Sequence, residues 1–166
     1  MKPKSTLNII GISAFYHDSG CCLMQDGVVT AAAHEERFTR IKFDPSIPFH
    51  AFMYCLEQAG LTIEEIDCIA YYEDPGKKLA RQLWSGFDPT RKDMGLKLDP
   101  FRPGREIREI LGYEGPIKYY THHRSHAASS YYFSGFYQSA IFTVDGLGEW
   151  ATCTYGSVRG NKIELC

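Results

Sequence analysis

The chain has 166 residues, 44% of them hydrophobic and 23% charged, with 18 Lys and Arg against 20 Asp and Glu. That is an ordinary globular composition with enough apolar residues for a real core, and the formal net charge of -2 gives no support for nucleic-acid binding. No apolar run approaches the length of a membrane span and no signal-peptide pattern is present, so a cytoplasmic protein without a membrane partner is expected.

Leu7 to Ile12 reads as a buried strand that runs into the turn-rich segment Ser13 to Gly20. Cys21 to Met24 is a second strand, Asp26-Gly27 a hairpin turn, and Val28 to Ala33 a third strand. The charged stretch His34 to Lys42 leaves this meander and is expected to cross one rim of the sheet. Pro48 to Gly60 has helical spacing, with Ala51, Phe52, Cys55, Leu56 and Ala59 as its apolar stripe and Gly60 as its stop. Thr62 to Glu65 is a short turn capped by Thr62, and Ile66 to Tyr72 is a strand.

Asp74-Pro75-Gly76 reads as a break. A short helix is predicted over Lys77 to Ser85, followed by a partly ordered loop or insertion up to Pro103. Gly104 to Leu111 is another short helix and Ile117 to Tyr120 a strand. The run from His122 through Ser134 is apolar enough to be a helix. Ala140 to Asp145 and Ala151 to Val158 are strands joined by a glycine bend. Arg159-Gly160-Asn161 turns the chain into a third strand, Lys162 to Leu165. The opening meander therefore recurs: strand, polar glycine-bearing bend, strand, tight turn, strand. A meander followed by alternating helices and strands implies a mixed sheet flanked by helices. Because the second copy reaches Cys166 just as its third strand begins, the chain is expected to be an N-terminal fragment. It would hold one lobe over residues 1–137 and the start of a second over 138–166.

His122 and His126 are four apart and share one helix face. Asp145 ends an apolar strand run just before Gly146 and Gly148, at the carboxyl edge where open α/β sheets keep their sites. Two imidazoles and a carboxylate suit iron, manganese or zinc better than calcium or magnesium. Against this stands a plain reading: an i, i+4 histidine pair is often only a helix-start or surface feature. The glycine bend lets backbone N–H groups approach phosphate oxygens, which makes Gly146 and Gly148 candidates for nucleotide or phosphate contact. Glu149 is placed to orient water or a ligand hydroxyl, and is counted with Gly146 and Gly148 among the candidate nucleotide- or phosphate-binding residues. His17 is a candidate proton acceptor in the first bend, with a His17-Asp18 turn pair as the alternative. Arg37 and Lys42 are candidate electrostatic partners of nucleotide or substrate, with a solvated charged rim as the alternative. The six cysteines form no Cys-x-x-Cys pair and are read as reduced, mostly buried small hydrophobes.

These stretches together resemble the O-carbamoyltransferase family that modifies antibiotics and nodulation factors. The matching segments are Gly11 to Ser19, His34 to Phe38, His122-x-x-x-His126 and Val144-Asp145-Gly146-x-Gly148-Glu149. The resemblance implies an actin-like ATPase-superfamily fold, with two lobes each built on a ribonuclease-H-like mixed sheet. It implies a metal held by His122, His126 and Asp145, iron first among the choices, with a further aspartate from later in the family's chain. It also implies ATP and carbamoyl phosphate as partners: a YrdC-like domain makes carbamoyl-adenylate, and the actin-like domain passes the carbamoyl group to a hydroxyl of a small-molecule acceptor in a biosynthetic reaction. A fragment without the later parts should be inactive alone.

Three other readings compete. An actin-like phosphotransferase of the sugar-kinase type would share the glycine bends but bind magnesium without the histidine pair. A relative of the tRNA threonylcarbamoyl-transfer protein would share the histidine pair but favour a basic face. A non-enzymatic interaction fragment would use a cut sheet edge to pair with a second copy as a homodimer.

Overall fold

A computed structural model describes residues 6–86, 98–146 and 148–166. The fold class is the expected one, mixed α/β. Three strands, β1 (Asn8–Ser13), β2 (Gly20–Gln25) and β3 (Val28–His34), form an antiparallel meander. A one-turn helix α1 (Glu36–Thr39) follows, then α2 (Phe49–Ala59) and β4 (Cys68–Tyr71). Next come α3 (Pro75–Trp84), α4 (Arg102–Glu109), β5 (Ile117–Tyr119) and α5 (His122–Tyr131). A second meander, β6 (Gln138–Val144), β7 (Cys153–Arg159) and β8 (Lys162–Leu165), completes the order. The contacts divide the chain into two compact units, one up to Tyr71 and over Phe101–Lys118, the other from Tyr72 and over Tyr119–Cys166.

The first unit carries a five-stranded sheet in the order β3-β2-β1-β4-β5. β4 runs parallel to β1, pairing Ile9 with Cys68 through Ile12 with Tyr71. A parallel pair needs a crossover, and α2 lies within it. Alternation along β1 turns Ile10 and Ile12 inward, and Leu23, Ile69 and Tyr71 join them, while α2 packs Ala51, Phe52, Cys55 and Leu56 against β2 and β3. Burying each of the larger aliphatic side chains stabilises by roughly 1.5–3 kcal/mol. The predicted hairpin turn is present: Asp26 and Gly27 both have positive φ, 50° and 87°, as a type I′ turn requires.

Glu35 departs from the expected solvated rim. It is 2% exposed, and its carboxylate accepts from the backbone N–H groups of His50 (3.1 Å) and Ala51 (2.8 Å). These are the second and third residues of α2, whose preceding residue is Pro48 and offers no side-chain cap. The carboxylate thus satisfies two of the four donors a helix start leaves open. His50 Nδ1 lies 2.6 Å from the same carboxylate.

Asp74-Pro75 starts a helix rather than breaking the chain. Asp74 is the N-cap of α3, accepting from Gly76 N (3.0 Å) and Lys77 N (3.1 Å), and Pro75 fills the first helical position, where its missing N–H costs nothing. Likewise α4 begins two residues before the predicted start, at Arg102, with Pro103 inside its first turn. The expected loop falls largely on residues 87–97, outside the described residues.

In the second unit, β6-β7-β8 is a three-stranded antiparallel sheet. It repeats the first meander, with a bend after β6 and a tight turn at Gly160 (φ 56°). α5 lies on one face, where Ala127 and Tyr131 meet Val158 and Ile163. The opposite face, with Phe142, Val144 and Tyr155, is exposed. The expected lobe boundary at 137/138 therefore runs between a helix and the sheet it packs on, inside this unit. The six cysteines are free: Cys21 and Cys55 are buried as expected, Cys22 and Cys68 half-buried, and Cys153 and Cys166 exposed. Among the described residues no helix is long and apolar enough to cross a membrane.

Candidate metal centre

His122 is the first residue of α5 and His126 sits one turn on, so both imidazoles leave the same helix face. Asp145 follows β6 directly, its N–H bonded to Thr152 O (2.8 Å) across the bend. All three belong to the second unit, and the structure brings them together. His122 Nε2 contacts Asp145 Oδ2, His126 Nε2 lies 3.3 Å from the same oxygen, and the two Nε2 atoms are 3.0 Å apart. The donor atoms lie within 4.8 Å of one another. The two rings are close to perpendicular, at 88°. Access is graded: the side chains of His122, Asp145 and His126 are 16%, 30% and 49% exposed.

Three electron-pair donors aimed at a common point repel one another unless a proton or a cation sits among them. Two imidazole nitrogens and one carboxylate oxygen are a donor set that a divalent iron, manganese or zinc ion accepts. The residues present fit such an ion. His122 Nδ1 is buried without a hydrogen-bond partner among the described residues. Its ring is steadied instead by Asp145 and by the edge of Tyr72, 5.6 Å between centroids. Ser125, between the two histidines in sequence, fastens α5 by donating to Tyr72 O (2.7 Å).

The glycine bend has a more divided role than expected. Gly146 faces open space, compatible with close approach of a ligand to its backbone. Gly148 is packed: a Cβ there would lie 2.5 Å from Ala151 O and 2.9 Å from the His123 ring. Its carbonyl also accepts from the Arg81 guanidinium. Gly148→Ala is expected to destabilise the second unit by roughly 1–3 kcal/mol through overpacking, whereas Gly146→Ala is not. Paired denaturant melts measure this, and equal stability of the two variants would contradict it.

Glu149, expected near a ligand, is only 5% exposed. Its carboxylate is taken up by backbone N–H groups of Asp74 (2.8 Å) and His122 (2.8 and 3.0 Å). The remaining expected site residues lie in the first unit. His17 is exposed, with Nδ1 2.9 Å from Asp18 Oδ2, so any proton-accepting role falls to Nε2. Asp18 thus bonds its neighbour's ring, at a positive φ of 46°. Arg37 is 71% exposed and 3.6 Å from Glu36. The Lys42 ammonium sits 4.7 Å from the Phe43 ring centroid, a surface cation–π contact.

His123 was not singled out by sequence. It is 4% exposed, with Nδ1 2.5 Å from Thr143 Oγ1 and Nε2 2.7 Å from Ala151 O. A carbonyl oxygen can only accept, so Nε2 carries a hydrogen. Thr143 Oγ1 in turn bonds Thr154 Oγ1 (2.6 Å). This chain of contacts fastens α5 to β6 and β7. Three histidines in five residues were visible, yet only their contacts separate the buried one from the other two. No local pattern flags Arg81, 67 residues from its partner.

Fold and site together define a mixed α/β protein with a His/His/carboxylate cluster where a helix start meets a strand end. Over residues 8–88 and 105–165 the chain matches the family described as Carbamoyltransferase N-terminus. The chain belongs to this carbamoyltransferase N-terminal family. It is 37% identical over 172 aligned positions to the uncharacterized protein sll1178 of Synechocystis, covering 94% of this chain and 28% of that protein. It is 36% identical over 159 positions to the nodulation protein NolNO of Sinorhizobium fredii, covering 92% and 23%. The chain thus spans about a quarter of the length of these relatives. A solved structure of YeaZ from Pseudomonas aeruginosa aligns over 96% of this chain and 64% of that one, at 11% identity and a TM-score of 0.49.

Proposed function

We propose that this chain is the N-terminal part of an O-carbamoyltransferase that passes a carbamoyl group from carbamoyl-adenylate to a hydroxyl of a small-molecule acceptor. The carbamoyl-adenylate would come from carbamoyl phosphate and ATP, made by a YrdC-like domain elsewhere in the protein. Family membership supports the transferase class, and the convergence of His122, His126 and Asp145 is the observation that carries the reading. In the transfer step the acceptor oxygen bonds to the carbamoyl carbon, the bond from that carbon to the phosphate oxygen breaks, and AMP leaves with both electrons.

His122, His126 and Asp145 would hold a divalent ion, with three donors leaving room for further ligands. Such an ion would supply Lewis-acid polarisation of a phosphate or carbonyl oxygen. His17 Nε2 takes the acceptor's hydroxyl proton, with Asp18 holding Nδ1 and so the ring's orientation. The backbone at Gly146, with open space where a side chain would stand, would let a phosphate oxygen approach. Arg37 and Lys42 add positive charge for the anionic donor. Glu149 has no part in phosphate binding in this reading, because a carboxylate beside a phosphate is repulsive.

The test is the full-length protein with carbamoyl phosphate, ATP and a panel of hydroxylated acceptors. A carbamoylated acceptor is the expected product, and His17→Gln is expected to slow its formation by about 10²–10⁴-fold, the usual worth of a general base. Phosphorylation of the acceptor with carbamoyl phosphate left out would overturn the proposal in favour of a kinase.

A further inference from the structure

We infer that Glu149 is a positioning residue of the metal centre: its buried carboxylate seats the backbone of His122 and joins it to the start of α3. The inference rests on the metal reading above and deepens it. α5 has no cap of its own, since the Thr121 side chain bonds none of its N–H groups. A helix start without a cap leaves N–H donors open and frays. Glu149 fills that place from 27 residues away. Both its oxygens accept from His122 N, at 2.8 and 3.0 Å. A carboxylate there also complements the positive end of the helix dipole.

The same Oε1 accepts from Asp74 N at 2.8 Å, and the Asp74 side chain caps α3. One carboxylate therefore ties together the starts of two helices. Neither a ligand-contact nor a direct metal role fits as well. The group is buried with its acceptors engaged, and among the described residues the metal-competent cluster consists of His122, His126 and Asp145.

The consequence falls on one of the two histidines. His122 is the first residue of α5, so its Nε2 position follows directly from how its own N–H is seated. His126 lies a full turn further in, and Ser125 is separately fastened to Tyr72 O. Loss of the seat displaces His122 relative to His126 and Asp145 and weakens the ion's hold without removing a ligand.

Two conservative variants separate seating from charge. Gln keeps the length and one acceptor oxygen able to serve both N–H groups, but it loses the charge and puts an NH2 where Oε2 accepts from His122 N. Asp keeps the charge but falls one methylene short. Cobalt(II) binding to the chain, followed by its visible absorption band, should be lost in His126→Ala. In Glu149→Asp it should weaken by about 10–100-fold, the usual effect of losing an outer partner of a metal ligand, with an altered band. Glu149→Gln, which keeps the length, should weaken binding less than Glu149→Asp does, and thermal melts should show all variants folded. The opposite order of the two variants, or wild-type affinity and band in both, would overturn the proposal. If wild type and His126→Ala bind cobalt equally, the metal reading itself fails. Amide exchange at His122 N then still reads the seat: faster exchange in Glu149→Asp supports it, and unchanged exchange rejects it.

Discussion

Replacing His126 with alanine is expected to abolish metal uptake while leaving the protein folded. The side chain is half exposed, and its close partners are the other two members of the cluster, so its removal opens no core cavity. Losing one of three donors should cost more than the about 10–100-fold typical of an outer partner. In the full-length protein, carbamoyl transfer should fall with it. His123→Ala is the contrasting variant. Its ring is buried and bonded to Thr143 and Ala151, so its loss should first appear as a lower melting temperature. Equilibrium dialysis with zinc, alongside thermal melts, distinguishes the two. Undiminished zinc uptake by His126→Ala would end the case for a metal centre.

A second large effect is expected at Glu35, through stability rather than chemistry. Glu35→Ala removes the acceptor for two backbone N–H groups at the start of α2, while the exposed His50 ring, 2.6 Å from the carboxylate, can turn to water instead. Loss of the cap at the part-buried His50 N–H costs about 0.5–2 kcal/mol, and leaving the buried Ala51 N–H unsatisfied about 1–3 kcal/mol. A total of about 1.5–5 kcal/mol is expected, a sizeable share of the roughly 5–15 kcal/mol that holds a typical domain together. Urea unfolding reads it directly. A change under about 1 kcal/mol, the low end of a single cap's worth, would mean that water takes over the carboxylate's role.

Much of the architecture was legible because its signals are local. Apolar runs mark β1 and β4, Asp26-Gly27 marks a turn that demands positive φ, and the spacing from Ala51 to Leu56 marks α2. The histidine pair was legible for the same reason: four residues is one helical turn, and both members emerge on one face. Its meeting with Asp145 was suggested by the strand that ends just before the Gly146 and Gly148 bend and by the family resemblance, since no local spacing joins residues 19 apart. What escaped is what acts at a distance. Glu35 and Glu149 look like ordinary surface acids until the helices they serve, 15 and 27 residues away, are folded against them. Asp74-Pro75-Gly76 carries the same residues whether it ends one element or starts another. In His122-His123-Arg124-Ser125-His126, the neighbour that turns inward is set by Thr143 and Ala151, which the pentapeptide does not contain.

The two glutamate seats also differ in their order along the chain, and that matters as the polypeptide leaves the ribosome. Glu35 precedes α2, so the acceptor is already present when that helix emerges. Glu149 follows His122 by 27 residues, a wait of about 1–5 s at ordinary translation rates of roughly 5–20 residues per second. Until then the His122 N–H has no carboxylate to accept it, although Ser125 already has Tyr72 O within the synthesised chain. Asp145 and Glu149 both follow the two imidazoles in the chain, so the three donors can meet only after synthesis has passed β6 and the bend beyond it.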